Sequence, residues 1–490
     1  MLFNSYEFLY AFFPAVLCLF YILANLANSN YRRHLIIAAS LIFYSSWDIW
    51  NLPVILVSMT VNYGISLKMR DAKDEPDFFS EKFWLVLGII FNLSLLGYYK
   101  YFNFLIGIFN SLFGASFHRL DIVLPLGISF FTFQQIIYLC DLRRRVTAPA
   151  NPIDYAVCVS FFPHLIAGPI IKYRKILPQL SSPIQFKVHT SYLAAGLGFL
   201  TIGLLKKVLL ADNLAPIADD VFKQALHHGP MSMIGAWAGA MAYTLQIYFD
   251  FSGYSDMAVG LGLCFGIELP VNFNSPYKSR SIIDFWRCWH ITLSQFLRDY
   301  LYIPLGGNRN GKPRHYLNLL ITMFLGGLWH GAGWTFIFWG ILHGGALCLN
   351  HWWHGLRQGK MTGEHFLTTL LARAATFAFL LFTWVVFRAD NLSNAFHIWR
   401  AMISSSQDLS FSWPLSTALW LALCLGIALF PPNTQEIMNH FRSRFELYSP
   451  SDFKTPRYMA SAKWGLAMGL AFFGVSILIS QATKFLYFDF

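Results

Sequence analysis

The chain has 490 residues, of which 56% are hydrophobic, 18% aromatic and only 12% charged, with a mean hydropathy of +0.47. Soluble domains carry about twice that share of charge, so the composition excludes an ordinary water-soluble globule and reads as an integral membrane protein. The formal charge of +11 does not argue for nucleic acid, because the basic residues form short clusters between apolar runs: Arg32-Arg33, Arg143-Arg144-Arg145, Lys172/Arg174/Lys175, Lys206-Lys207 and Arg309/Lys312/Arg314. That is the pattern of the positive-inside rule; recognition of an anionic ligand from the cytoplasm is the other reading of any one cluster.

Apolar runs that suit a ~30 Å hydrocarbon core recur at 6–27, 35–47, 52–67, 84–98, 101–114, 122–140, 191–205, 231–249, 317–329, 334–353, 367–387, 413–430 and 464–483. Several are short or broken by Gly and Pro, which predicts re-entrant or tilted segments beside simple spans. The expectation is an all-α polytopic membrane protein of roughly ten to twelve transmembrane helices plus re-entrant or interfacial helices. It forms one domain over residues 1–490. The first apolar segment, Phe8 to Leu26, lacks a basic flank and a small-residue cleavage site, and reads as a retained helix rather than a signal peptide. The polar linker from Lys68 to Lys82 reads as a cytoplasmic loop. Seven cysteines without CxxC spacing read as buried free thiols, neither a disulfide framework nor a metal site.

Farther along, Gln246 to Asp256 sets Asp250 and Asp256 in an aromatic, apolar stretch. The bland reading has them capping helix ends or pairing with Arg287 or Arg298; the other has them at a working site. Residues 272–314 hold few spanning candidates. Within them Ile282 to Tyr302 has helical periodicity, with Trp286, Trp289, Leu293, Phe296 and Leu297 on one face, and Arg287, Ser294 and Arg298 on another. This suits an interfacial or re-entrant helix carrying His290. Gly306 to Lys312 has the spacing of a phosphate-binding loop, but Pro313 stands where a Ser or Thr should hold magnesium and no βαβ unit surrounds it. A Gly-rich turn at the membrane surface is the better account.

The helical region 316–356 carries two histidines, His330 and His343. An ionisable group in hydrocarbon is costly and by default marks a working site. On one continuous helix their thirteen-residue separation gives about 220° of rotation and ~20 Å of rise, so only one serves a given reacting atom. Gly331 and Gly333 beside His330 leave room for a substrate to approach the ring. His343, between Leu342 and Gly344, reads as a packed core histidine. These residues alone leave an enzyme and a proton-coupled transporter both open.

Collinear motifs carry a resemblance. They are Met1-Leu2-Phe3-Asn4-Ser5; Leu124 to Gln134 (LPLGISFFTFQ); Ser160-Phe161-Phe162-Pro163 with Ile166-Ala167-Gly168-Pro169-Ile170; Lys206-Lys207 with Ala211-Asp212-Asn213-Leu214-Ala215; Asp250 to Asp256; and Asn272-Phe273-Asn274-Ser275-Pro276-Tyr277. Phe285-Trp286-Arg287-Cys288-Trp289-His290, Tyr302 to Arg309 and Trp329-His330-Gly331-Ala332 complete the series. Over essentially its whole length the chain resembles the membrane-bound O-acyltransferase superfamily, in the bacterial branch of the alginate, peptidoglycan and teichoic-acid modification proteins. Departures are small: Gly333 stands where Asn is expected, and Asp489 replaces a Gln in the aromatic ending.

The resemblance implies that His330 is the catalytic histidine and His290 a second one, with a central tunnel joining a cytoplasmic donor to an outer acceptor. It implies an acyltransferase of the bacterial cytoplasmic (inner) membrane, multi-pass in the lipid bilayer, using acetyl-CoA as acyl-donor substrate with no bound cofactor. The acceptor is a cell-envelope polysaccharide, reached with an extracytoplasmic SGNH-hydrolase-like partner, since no such domain is seen in this sequence. His330 would be general base to an acceptor hydroxyl, burial favouring its neutral form, while His290 orients substrate or steadies the oxyanion. The candidate substrate contacts are Trp286, Arg287, Trp289, Trp329, Asp250, Asp256, Asn308 and Arg309. The tryptophans, with Trp334, either line the tunnel or anchor the interface; Arg309, Lys312 and Arg314 either receive CoA phosphates or only set topology. Two alternatives stand: a teichoic-acid-type D-alanyl transferase, and a transporter using His330 as a proton relay, the latter disfavoured by the absence of an internal repeat.

Overall fold

The computed structural model describes residues 1–24, 30–72, 80–181, 190–357, 366–404, 414–438, 462–479, 483 and 485–486. All regular secondary structure among them is helical. The middle of the polar linker (73–79), the end of the first apolar run (25–27) and the final residues 487–490, with Asp489, lie outside the described residues.

Among the described residues four helices are long and apolar enough to cross a membrane: Asn51–Asp71, Glu81–Phe113, Thr190–Leu226 and Phe366–Arg388. Three shorter apolar helices, Glu7–Leu23, Leu415–Leu429 and Ala462–Ile477, join them. Their outer surface is greasy: Ile22, Ile90, Leu93, Leu371, Leu419 and Leu470 are at least half exposed. Water-soluble monomers avoid contiguous apolar surface of this kind, whereas lipid tolerates it provided every backbone group is satisfied within helices. The protein is therefore a polytopic membrane protein.

The helices that place the functional residues are α1 (Glu81–Phe113), α2 (Ile128–Arg143), α3 (Thr190–Leu226), α4 (Met233–Cys264), α5 (Ile282–Cys288), α6 (Ile291–Leu297), α7 (Gly311–His330), α8 (Trp334–Arg357) and α9 (Phe366–Arg388). At their centre α4 is buried without interruption from Ala242 to Cys264, packed on by α3 and α9 among others. It meets α3 backbone to backbone: a Cβ on Gly203 would lie 2.6 Å from the Gly253 carbonyl oxygen, and one on Gly253 2.8 Å from that of Gly203. Small residues permit this approach, which carries Lys206 and Lys207 of α3 to the carboxylates of α4.

Two breaks expected from the apolar runs are absent. The runs 84–98 and 101–114 form the single helix α1, which passes through a π-helical turn at Gly97–Tyr101. The run 191–205 continues to Leu226 through a second π-helical stretch, Leu205–Ala211. A π-bulge inserts a residue without freeing the backbone from its helical hydrogen bonds, so a lysine sits mid-helix where a run-length reading sees a loop.

Two other expectations fail the opposite way. The periodic segment Ile282 to Tyr302 is not one helix but breaks at Trp289 and His290. His330 and His343 do not share a helix either: α7 ends at His330, Gly331 is extended (φ −165°, ψ 153°), and α8 begins at Trp334. The two helices fold back on each other, with Gly327 and Gly340 in contact. The continuous-helix geometry that separated the two histidines therefore does not apply. The seven cysteines are free, as expected, though only Cys158, Cys264 and Cys424 are buried, and Cys18 is exposed on its apolar helix.

Candidate active site

His290 occupies the two-residue break between α5 and α6 in the left-handed conformation (φ 39°, ψ 56°) and is fully buried. A non-glycine residue there costs about 1–3 kcal/mol and persists only if its surroundings over-determine it. They do so on both flanks: the Asn274 N–H donates to the Cys288 carbonyl (3.0 Å) and the Ile291 N–H to the Asn272 carbonyl (2.9 Å). The Asn272 side-chain oxygen accepts from the Thr292 hydroxyl (2.7 Å), whose oxygen in turn accepts from the Ile170 N–H (3.0 Å). The sequence motif around Asn272 thus holds His290 in place from a distance along the chain.

His330 is the last residue of α7 and is buried. A helix ends with carbonyls that have no partner inside it, and α1 supplies them. The Tyr101 hydroxyl donates to the Leu328 carbonyl (2.8 Å), and the Lys100 ammonium donates to those of Trp329 (2.7 Å) and His330 (3.0 Å). Both side chains come from the π-helical turn of α1. A Cβ on Gly331 would run into the Phe336 ring, so the room left by this glycine belongs to Phe336 and not, as expected, to a substrate.

Trp329 joins the two histidines. Its ring lies 6.0 Å from that of His290 and 4.9 Å from that of His330, edge-on to both, and stacks on Phe133 of α2 at 5.4 Å. Phe251 of α4 stands perpendicular to His290 at 4.7 Å, backed by Phe485 near the chain's end. Phe387 of α9 and Trp339 of α8 close over His330 at 5.1 and 5.2 Å. A cavity of about 40 Å³ opens here, lined by Lys100, Leu126, Gly127, Phe130, Trp329 and His330 among others. That is room for a group of a few heavy atoms, on the order of two or three waters.

His343 enters the same cluster through Trp339, which it meets at 4.5 Å. Its two nitrogens are engaged, Nδ1 accepting from the Trp286 indole N–H (3.3 Å) and Nε2 facing the Thr383 hydroxyl (3.1 Å). It is a hydrogen-bonded core histidine, as its setting suggested. Trp286 therefore orients His343, and Trp289 lies in an aromatic stack with Phe285, Tyr277 and Trp384. Of the tryptophans expected to line a substrate path, Trp329 lines the cavity beside His330. Trp334 is largely exposed, against Phe104 of α1.

The charged candidates lie elsewhere. Asp250 and Asp256 cap no helix end and meet neither arginine: they are mid-α4 and pair with Lys207 and Lys206, both at 2.7 Å. Lys207 also reaches Asp212 (2.8 Å). Asp250 further accepts from the Leu486 N–H (3.0 Å), and Asp256 from the Thr434 hydroxyl (2.6 Å). The Lys206-Lys207 cluster, read as a topology signal, is an inward-facing half of this network. Arg287 is exposed and pairs with Asp284 (3.4 Å). Arg298 pairs with Asp299 (2.7 Å); burial pushes that carboxyl up, but hydrogen bonds from Arg298 and Lys172 outweigh it and hold it below the usual range. Asn308 and Arg309 are exposed in the turn before α7, where the neighbouring Gly307 carbonyl accepts from the Asn318 amide (2.9 Å), roughly 18 Å of helix away from His330. The structure does not bring these two, or Arg287, to the histidines.

Sequence reasoning missed Lys100 and Tyr101. Lys100 was visible as a lone cation in the two-residue gap between the apolar runs 84–98 and 101–114. Among the described residues no group of His, Cys, Asp and Glu is placed to hold a metal ion.

Comparison with known proteins agrees with this architecture. The profile of the membrane-bound O-acyltransferase family matches residues 36–403. A peptidoglycan O-acetyltransferase of Helicobacter pylori is 43% identical over 430 residues, covering 82% of this chain and 80% of that one. A probable alginate O-acetylase of Azotobacter vinelandii is 44% identical over 412 residues, 82% and 78% of the two chains. A teichoic acid D-alanyltransferase of Streptococcus thermophilus is 30% identical over 243 residues, covering 48% and 58%. With a buried histidine at a helix end, a second one folded against the same indole and this likeness over most of its length, the chain belongs to the membrane-bound O-acyltransferase family and is an acyltransferase.

Proposed function

We propose that the protein takes acetyl from acetyl-CoA on the cytoplasmic side of the bacterial inner membrane and passes it to the outer side for O-acetylation of an envelope polysaccharide, alginate-like or peptidoglycan. The observation that carries this reading is the cavity beside His330, walled by Trp329, with room for a group of acetyl size. His330 acts as general base, taking the proton of an acceptor hydroxyl as its oxygen attacks the thioester carbon. His290, held against the far edge of the same indole network, orients the reacting groups. The O-acetylating relatives match over four-fifths of the chain and the D-alanylating ones over about half, which favours acetyl over D-alanyl as the transferred group. Lys312 and Arg314, exposed in the first turn of α7, and Arg309 just before it, would meet the anionic end of a donor rather than its thioester. The final transfer runs through an extracytoplasmic SGNH-hydrolase-like partner, as the family resemblance implies.

The test is purified protein in nanodiscs with radiolabelled acetyl-CoA, following release of free CoA and transfer to a simple hydroxyl acceptor. The wild type cleaves the thioester, and His330→Ala lowers the rate by about 10²–10⁴-fold while remaining folded. A folded wild type that leaves acetyl-CoA intact, with candidate partners present, overturns the donor assignment.

A further inference from the structure

Lys100 is a partly buried cation in the middle of an apolar helix, and no carboxylate pairs with it among the described residues. An ammonium removed from water without a counter-ion is costly, and inside a membrane protein it marks a function by default. Two of its three N–H groups go to the carbonyls of Trp329 and His330, which carry the negative end of the α7 dipole, equivalent to about half a charge. Part of the positive charge is therefore left over. It sits over the Trp329 ring at 5.9 Å, and Lys100 lines the same cavity as His330. The π-helical turn Gly97–Tyr101 places it at that spot.

We propose that Lys100 is a catalytic residue, its ammonium stabilising the oxyanion that forms when the acyl carbonyl in this cavity is attacked. This rests on the acyl-transfer reading above. The acceptor oxygen bonds to the thioester carbon as its proton passes to His330, and the carbonyl π pair moves onto oxygen beside Lys100. When that pair returns, the carbon–sulfur bond breaks. The sulfur departs with the bonding electrons and takes the proton from His330. A fixed charge where negative charge develops needs no reorganisation during the step, and removing one such donor costs about 10²–10³-fold in rate.

The experiment compares wild type, Lys100→Met, Lys100→Arg and Tyr101→Phe in nanodiscs, measuring kcat and KM for acetyl-CoA cleavage beside thermal melting. The expected result is a kcat about 10²–10³-fold lower for Lys100→Met with KM changed less than about threefold. Lys100→Arg recovers to within about tenfold of wild type, and Tyr101→Phe, which loses a cap but no charge, stays within about threefold. A folded Lys100→Met with a wild-type kcat overturns the proposal and leaves the acyl-transfer reading standing; an inert wild type overturns both. If Lys100→Met does not fold, Lys100→Gln replaces it. Failure of both neutral variants to fold, with Lys100→Arg folded and fully active, assigns Lys100 to helix capping alone and also overturns the proposal.

Discussion

Two lysine sites in this bundle are built alike and differ in what they face. Both lie in π-helical turns of long apolar helices, Lys100 in Gly97–Tyr101 and Lys206 with Lys207 in Leu205–Ala211. Lys206 and Lys207 meet carboxylates at 2.7 and 2.8 Å, and two of these, Asp256 and Asp250, accept further hydrogen bonds from Thr434 and Leu486 late in the chain. Among the described residues Lys100 meets backbone carbonyls, the Trp329 ring and a cavity, and no carboxylate. Burial alone does not separate a structural cation from a chemical one. The identity of its partners does: a fully compensated charge is inert scaffolding, and a partly compensated one retains a field that a developing anion can use.

The largest effect that sharpens this contrast is on stability. Lys207→Met leaves Asp250, whose side chain is 1% exposed, facing a methyl group, and breaking a buried pair from one side costs about 3–5 kcal/mol. The double variant Lys207→Met/Asp250→Asn removes both charges and recovers most of that loss. Thermal melting in a single detergent measures both, and thioester cleavage per folded molecule stays near wild type. A single variant that melts normally but has lost cleavage would move this network from scaffold to chemistry.

The residues that the sequence revealed and those it hid differ for the same physical reason. The burial of His330 was legible because an ionisable group set in so apolar a run lies among apolar side chains, whereas its meeting with His290 across Trp329 is a tertiary fact. The Lys206-Lys207 pair was misread because its partners, Asp250 and Asp256, lie far along the chain on a different helix, and a run of charge does not show which way it faces. Lys100 was hidden because a π-bulge leaves no mark on run length: 84–98 and 101–114 look like two spans with a loop between. The separation of His330 from His343 depended on whether Gly331–Gly333 interrupts a helix, and the close approach of Gly327 to Gly340 that decides it is a tertiary fact. The helices themselves, from Asn51–Asp71 to Ala462–Ile477, were legible because lipid demands long apolar runs.

A smaller effect probes the histidine side. His290→Asn keeps a residue that tolerates φ 39° while removing the ring between Phe251 and Trp329. The expectation is a folded protein whose cleavage rate falls about 100-fold, the lower end of what a positioned proton-transfer group contributes. His290→Phe, which fills the space but strains the backbone, should instead lower the melting temperature. If His290→Asn cleaves acetyl-CoA at the wild-type rate, His290 serves packing, and the cluster reduces to His330 and its α1 clamp.

The smallest expected effect belongs to Arg287. It lies three residues from His290 and in the same motif, yet its side chain is 74% exposed and its partner Asp284 is 42% exposed. Exposed pairs of this kind contribute about 0–1 kcal/mol, and the helix α5 that carries Arg287 turns it away from the ring stack holding Trp289. Arg287→Ala should therefore leave melting and the cleavage rate within about twofold of wild type, measured in the same nanodisc assay. A tenfold rise in KM with kcat unchanged would show that this arginine meets the donor at the surface of the protein. The difference between the two regions would then extend to a third kind of cation, one that binds substrate without taking part in either the scaffold or the chemistry.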